Sequence, residues 1–346
     1  MSAAVTVPVH PEIPPTWTAR KQPHTRTLIV ADVGGTFARV ARATLRPGQA
    51  PQLCGLRRYA CAEHPSLATI LLDFSGAAAA QGSAVVAIAG LLDGDHLVNT
   101  NLPWPVSLAR TRHDAGLASL SLINDFEAVA YAIPHVAADS LVALNGDAGA
   151  NPQWPALVLG PGTGLGAALR LEGGQRAVLA SEAGHAALTA GNALELEILS
   201  RLMQRWEHVD NERVLSGSGL LNLYPCLCDI RGVAPRWTST EALIAAAHAG
   251  EDALAVETLQ VFCGWLGSLA GDLAVTYGAR SVYLAGGIST RVEGFLLDGR
   301  FRERFLAKGV MREVLAHVPV WRVDHGELGV LGAAVWQAGQ PAADAA

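Results

Sequence analysis

The sequence predicts a two-domain α/β protein in which each half builds a mixed sheet flanked by helices. Three observations carry this. The chain has 346 residues, more than the roughly 100–200 typical of one domain. Each half opens with the same device: an apolar strand, a glycine-rich turn and a second, antiparallel strand. Strand patterns then alternate with helical ones, as mixed α/β sheets require.

Residues 1–26 hold four prolines within the first 15 positions and no charged-then-apolar leader pattern, and are expected to form a disordered extension. Strands are expected at 28–33, 37–45 and 53–61, separated by Gly34-Gly35-Thr36 and by RPGQAPQ. A helix is expected from Pro65, a favoured first helical residue. SAVVAIAG and ASLSLIND read as strands, SLARTRHDAG and FEAVAYAI as helices, the last stopping before Pro134. In the second half PALVLG meets the turn PGTG, and LGAALRLE and QRAVLAS form a hairpin. In LELEILSRLMQRW, Ile198, Leu199, Leu202, Met203 and Trp206 share one helical face; VETLQVFCGWLGSLAGDLAVTYG repeats the pattern. SVYLAGG and VPVWRVD are strands, and LGVLGAAVWQAG is a closing helix.

Composition excludes several classes. A net charge of -6 without a Lys/Arg stripe argues against nucleic acid as partner. The best membrane candidate, 77–92, is interrupted by Gln, Ser and Gly and reads as a helix end, turn and strand. Cys54, Cys61, Cys226, Cys228 and Cys263 have no regular spacing, which fits reduced thiols of a cytoplasmic protein.

The chemistry concentrates at the two turns. Backbone N–H groups are fixed donors, and glycine lets a phosphate come close, so two such turns suit a polyphosphate. No Lys follows either glycine cluster, which excludes a Walker loop. Gly162-Thr163-Gly164-Leu165-Gly166-Ala167, with Glu182 downstream, fits a dinucleotide fingerprint, but that fingerprint must open a helix, and LGAALRLE reads as a strand. Asp125 ends a strand before a helix: a base for an attacking alcohol, or simply a helix cap.

ADVGGTFARVA, LGPGTGLGAA and VYLAGGIS resemble the two phosphate motifs and the adenosine motif of the hexokinase–actin superfamily. With INDFEAVAYAIP, EAGH, ERVLSGSGLLNLY and HGELGVLGAA, residues 27–340 resemble bacterial ATP-dependent glucokinase, and no zinc-binding Cys-rich loop of the related ROK kinases follows His185. The resemblance implies an actin/hexokinase-like (RNase H-like) fold with its active site in the interdomain cleft. A small domain would cover 27–135 plus 325–340, and a large one 136–324. It implies transfer from ATP to the 6-hydroxyl of glucose, and a homodimer. Asp125 would be the base. Asn101, Asn124, Asp125, Glu182, His185 and Glu212 would hold the sugar. Gly34, Gly35, Thr36, Gly162, Thr163 and Gly164 would hold phosphates, and Gly286 and Gly287 the adenosine. Asp32 would hold Mg²⁺ through water, or else shape the turn. Ala183 stands where the family usually shows glycine. Kinases for other hexoses or amino sugars share this machinery; a sugar-responsive regulator and a nicotinamide-dependent dehydrogenase are the remoter alternatives.

Overall fold

The computed structural model describes residues 25–76, 82–98, 102–146, 151–173, 177–324 and 326–340. The extension up to residue 24 and Asn101 therefore lie outside the described residues. In the first half, β1 (Arg26–Val33), β2 (Phe37–Leu45), β3 (Gln52–Ala60), α1 (Leu67–Ser75) and β4 (Ser83–Ile88) precede a small hairpin of β5 (Leu91–Asp93) and β6 (His96–Val98). Then come α2 (Leu108–Asp114), β7 (Ser119–Asn124) and α3 (Asp125–Ala132). The strands β3-β2-β1-β4-β7 form one sheet, antiparallel through β3, β2 and β1 and parallel through β1, β4 and β7.

The second half runs β8 (Leu141–Asn145), β9 (Ala156–Pro161), β10 (Leu165–Arg170), β11 (Val178–Ser181), α4 (Ala193–Leu202), α5 (Gly217–Ile230), α6 (Thr240–Ala249), α7 (Ala253–Tyr277) and β12 (Ser281–Leu284). It ends with α8 (Gly287–Arg291), α9 (Glu293–Leu296), α10 (Arg300–Leu306), α11 (Arg312–Ala316), β13 (Val320–Val323) and α12 (Leu328–Ala338). Its sheet has the order β11-β10-β9-β12-β13-β8.

Several expectations are corrected. β1 begins at Arg26, which pairs with Leu45, so the extension ends before it. Ser66, not Pro65, opens α1: its hydroxyl accepts from the Thr69 N–H, and Pro65 precedes the cap. Asn124 caps α3, and Asp125 is its first residue. α4 stops at Leu202, so Met203 is exposed rather than on the buried face. In agreement with the sequence reading, Ser83–Ile88, inside the stretch weighed as a membrane span, is a sheet strand. By length and composition α7 could cross a membrane, but here it is a core helix with Phe262, Cys263, Trp265 and Leu266 buried.

The alternation of β1 sorts the first sheet into two faces. Ile29, Ala31 and Val33 pack with Leu67, Ile70 and Leu71 of α1. Leu28 and Val30 pack with Ala128 of α3 and Val330, Ala333 and Ala334 of α12. Asp32 shares the parity of Leu28 and Val30, which puts it on the α3–α12 face. The opposite flank of α3, through Phe126, Val129 and Ala130, packs with Val158, Ala168, Tyr283 and Trp321 of the second sheet. Helix α3 is thus a wedge between the two sheets, with its N-terminus at their junction.

The wedge is held by direct backbone contact: a Cβ added to Gly332 of α12 would lie 1.7 Å from the Ala128 carbonyl oxygen. Neither backbone can yield without moving a sheet. Gly332→Ala should therefore destabilise the protein by about 3 kcal/mol or more, read as a fall in Tm, whereas the same change at solvent-facing Gly294, where nothing lies within 4 Å, should not.

Candidate active site

Each glycine turn closes on itself. The Gly34 N–H donates to the Phe37 carbonyl (3.0 Å), and the Gly162 N–H donates to the Gly164 carbonyl (2.8 Å). These two amides were expected to face phosphate and instead shape the turns. The N–H groups of Gly35, Thr36, Thr163 and Gly164 donate to no carbonyl within the two turns. Gly286 has φ 98°, and an added Cβ would lie 2.5 Å from the Pro161 carbonyl oxygen, so this glycine serves the packing of β12 on the second hairpin. A Cβ on Gly287 would meet nothing within 4 Å, which leaves open space beside it.

A second support of the first turn was not legible in the sequence. Cys61, at the end of β3, donates its N–H to the Thr36 carbonyl (2.9 Å) and its thiol to the Gly34 carbonyl (3.4 Å). The Trp104 indole N–H donates to the Cys61 carbonyl (3.2 Å). Burial pushes the Cys61 thiol up, away from the reactive thiolate. Sequence reasoning treated it as one of five inert cysteines.

Asp125 stands where β7 becomes α3. Asn124 Oδ1 accepts the N–H groups of Phe126 (2.9 Å) and Glu127 (3.0 Å), and Asp125 Oδ1 also accepts from Phe126 (2.9 Å). The capping work therefore falls on Asn124, whose amide NH₂ remains as its donor. Asp125 is half-buried at the junction floor. Burial raises its carboxyl to about 6; the charge of Asp32 adds to this, and that of Glu182 adds less. Three of the expected site carboxylates are thus close enough to sense one another.

Asp32 is buried, and the Arg39 guanidinium Nη1 lies 3.4 Å from its Oδ2. Arg39 faces Asp32 directly in the β1–β2 register. The signal was present, since a two-residue offset across a tight hairpin turn pairs these positions, but sequence reading assigned Arg39 no role.

The remaining residues are gathered by two linked segments. Asn211 donates through Nδ2 to the Ala183 carbonyl (2.9 Å) and through its N–H to the Ala186 carbonyl (2.9 Å). This ties 182–186 to 209–212 and brings Glu182, His185 and Glu212 together. His185 Nδ1 lies 3.6 Å from Asp210 Oδ2, and its Nε2 lies 4.0 Å from Glu182 Oε2. Asp210 is buried and lies beside the imidazole, a neighbour not anticipated from the sequence. Glu182 and His185 are exposed toward solvent. Ala183 opens a 3-10 turn, Ala183–His185, which is right-handed and needs no glycine. Gly184 does need to be glycine, because a Cβ would lie 2.4 Å from the Leu165 carbonyl oxygen.

A carboxylate at the junction of two sheets, with a glycine hairpin on each sheet, fits a nucleotide-dependent phosphotransferase of the hexokinase–actin fold. Comparison with known proteins narrows the class. The glucokinase family model matches residues 29–340. A glucokinase-like protein of Xylella fastidiosa (strain 9a5c) is 48% identical over 322 residues, covering 92% of this chain and 96% of its own. A glucokinase of Stenotrophomonas maltophilia (strain R551-3) is 39% identical over 320 residues, covering 90% and 95%. The crystal structure of a glucokinase from an Antarctic psychrotroph matches with a TM-score of 0.78 at 33% identity, covering 90% of this chain and 98% of that one. The chain belongs to the glucokinase family.

The Asp125 carboxyl has a testable cost. Its folded-state value of about 6 lies above the ordinary 3.8. Ionisation is therefore penalised in the folded state: stability falls as pH rises from about 4 to 6 and stays lower above that. Asp125→Asn keeps the acceptor for Phe126 and removes the penalty. It should stabilise the protein by ~2 kcal/mol at pH 7.5, read as a raised Tm, and the gain should vanish at pH 3.5.

Proposed function

We propose that Asp125 is the general base in transfer of the γ-phosphoryl group of ATP to the 6-hydroxyl of glucose. The observation that carries this reading is the partly desolvated carboxylate between the two hairpins, raised to about 6. A base is most effective when its affinity for the proton approaches that of its working pH while it remains ionised. At pH 7.5 Asp125 satisfies both conditions. Its Oδ1 is occupied by the Phe126 N–H, and Oδ2 takes the hydroxyl proton. The alkoxide oxygen bonds to the γ-phosphorus as the bond to ADP breaks, and the proton stays on Asp125.

Glu182, His185 and Glu212, with Asn124 and Asn101, hold the other hydroxyls in this reading. Carboxylates and an oriented imidazole reject a sugar whose hydroxyls point elsewhere, because buried partners are then left unpaired. The amides of Gly35, Thr36, Thr163 and Gly164 hold the phosphates, and the space beside Gly287 takes the adenosine. The domain of 27–135 with 325–340 closes on that of 136–324 around the sugar, which excludes water as a competing acceptor.

Mg²⁺ fits as an ion that arrives on the nucleotide. Among the described residues no group of three or more His, Cys, Asp or Glu gathers to hold a metal, whereas Asp32 offers a hard oxygen beside the first turn. Bound there through water, the ion would neutralise charge on the transferring phosphates. Arg39 lies alongside and supplies a fixed positive charge.

Four measurements test this reading. In Asp125→Asn, kcat should fall by about 10²–10⁴ while glucose still binds with modest loss; near-normal turnover removes Asp125 as base. In the wild type, kcat/KM should drop roughly tenfold per pH unit below about 6. Asp32→Asn should move that acid limb downward, because one source of the raised carboxyl is gone, and should raise the Mg²⁺ concentration needed for half-maximal rate. An unchanged Mg²⁺ requirement argues against the metal role, and a panel of hexoses assayed by ADP release sets the acceptor preference.

A further inference from the structure

Leu165, at the foot of the second glycine turn, is gripped from two sides. Its peptide N–H donates to Glu212 Oε2 at 2.8 Å. Its carbonyl oxygen lies against Gly184, where an added Cβ would approach to 2.4 Å. Both neighbours belong to the segments that carry the sugar contacts proposed above. The Glu212 carboxylate also lies directly on Gly164, whose Cβ would sit 2.3 Å from Oε2. A further bond fixes the same strip of chain five residues on: the Gly217 N–H donates to the Gly162 carbonyl at 2.8 Å. Ser216 Oγ, which caps α5, donates to the Glu212 carbonyl at 2.8 Å and so fixes the backbone between these two ties.

We infer that Glu212 is a positioning residue for the nucleotide phosphates as well as a sugar contact: Oε2 holds the turn 162–165 while Oε1 remains for hydroxyls. The inference deepens the proposed function and rests on it. The physics is that of a shared anchor. By taking up the Leu165 amide, the carboxylate sets the orientation of the turn, and so the direction in which the Thr163 and Gly164 amides point. A charge-assisted hydrogen bond of this kind is stronger than a neutral one. A sugar that fixes Oε1 thereby fixes the turn, and by linkage a bound nucleotide favours the sugar to the same degree.

The test uses the full chain and calorimetric titration with Mg²⁺–AMPPNP without sugar, and with glucose without nucleotide. Glu212→Ala should weaken both, AMPPNP by roughly tenfold, the loss of one charge-assisted bond. Glu182→Ala should weaken glucose alone. Glu212→Gln supplies the discriminating result: its amide oxygen can still accept the Leu165 N–H, but its NH₂ cannot accept a hydroxyl. AMPPNP affinity should return to within about threefold of wild type, while glucose stays weak. Should Glu212→Ala not fold, Glu212→Asp, too short to reach both partners, is expected to show the same AMPPNP loss. AMPPNP binding unchanged in Glu212→Ala or Glu212→Asp, or equally lost in Glu212→Gln, overturns the link and leaves the kinase reading standing. A wild type that phosphorylates no hexose overturns the kinase reading and the link together.

Discussion

Two helix backbones touch at Ala128 and Gly332, and the position of the Asp125 carboxylate follows from that contact. Because α12 presses on the first sheet and α3 on α12, the N-terminus of α3 cannot shift relative to β1. Its other flank is fixed by Phe126, whose ring fills the space over Gly160 and Gly166 of the second hairpin. Asp125 is therefore placed by the packing of both sheets. Such fixed placement is what an in-line transfer would need of the base proposed for it.

That rigidity carries an electrostatic cost. Asp125 is partly removed from water and faces Asp32 and Glu182, so its ionised form is disfavoured. Burial, the dominant cause, is the same feature that suits the group to the proton-accepting role proposed for it. Arg39 offsets part of the local negative charge by pairing with Asp32, and the N-terminus of α3 favours an anion at its first residue. Activity and stability are thus opposed at one atom pair, a pattern common where function requires an unfavourable charge.

The two halves of the site are also joined mechanically. The first turn is braced by Cys61 and, through Cys61, by Trp104. The second is braced by Glu212 and packs against Gly184. The segments that support the second turn also carry residues read above as sugar contacts. In the proposed function this joins the second phosphate turn to the sugar contacts through bonded contacts of one or two residues.

The sequence by itself determined most of the strands, though not β5, β6 and β8, and it determined the paired glycine turns and the identity of the polar residues, because period-2 and period-3.6 patterns and turn chemistry are local properties. It also placed Asp32 and Asp125 at strand ends, and the family resemblance followed from these short motifs. Other features were decided only by tertiary structure. Helix α3 became a wedge through contacts to residues far along the chain. Gly34 and Gly162 turned their amides inward, and the cap, one of two readings open for Asp125, fell to Asn124, with Asp125 Oδ1 sharing only the Phe126 N–H. Cys61, Arg39, Asp210 and Asn211 acquired roles from neighbours on other strands and segments. The physical reason is the same throughout: a hydrogen bond or a raised carboxyl depends on which groups share a few ångströms of space, and that is set by packing between elements rather than by the pattern within any one of them.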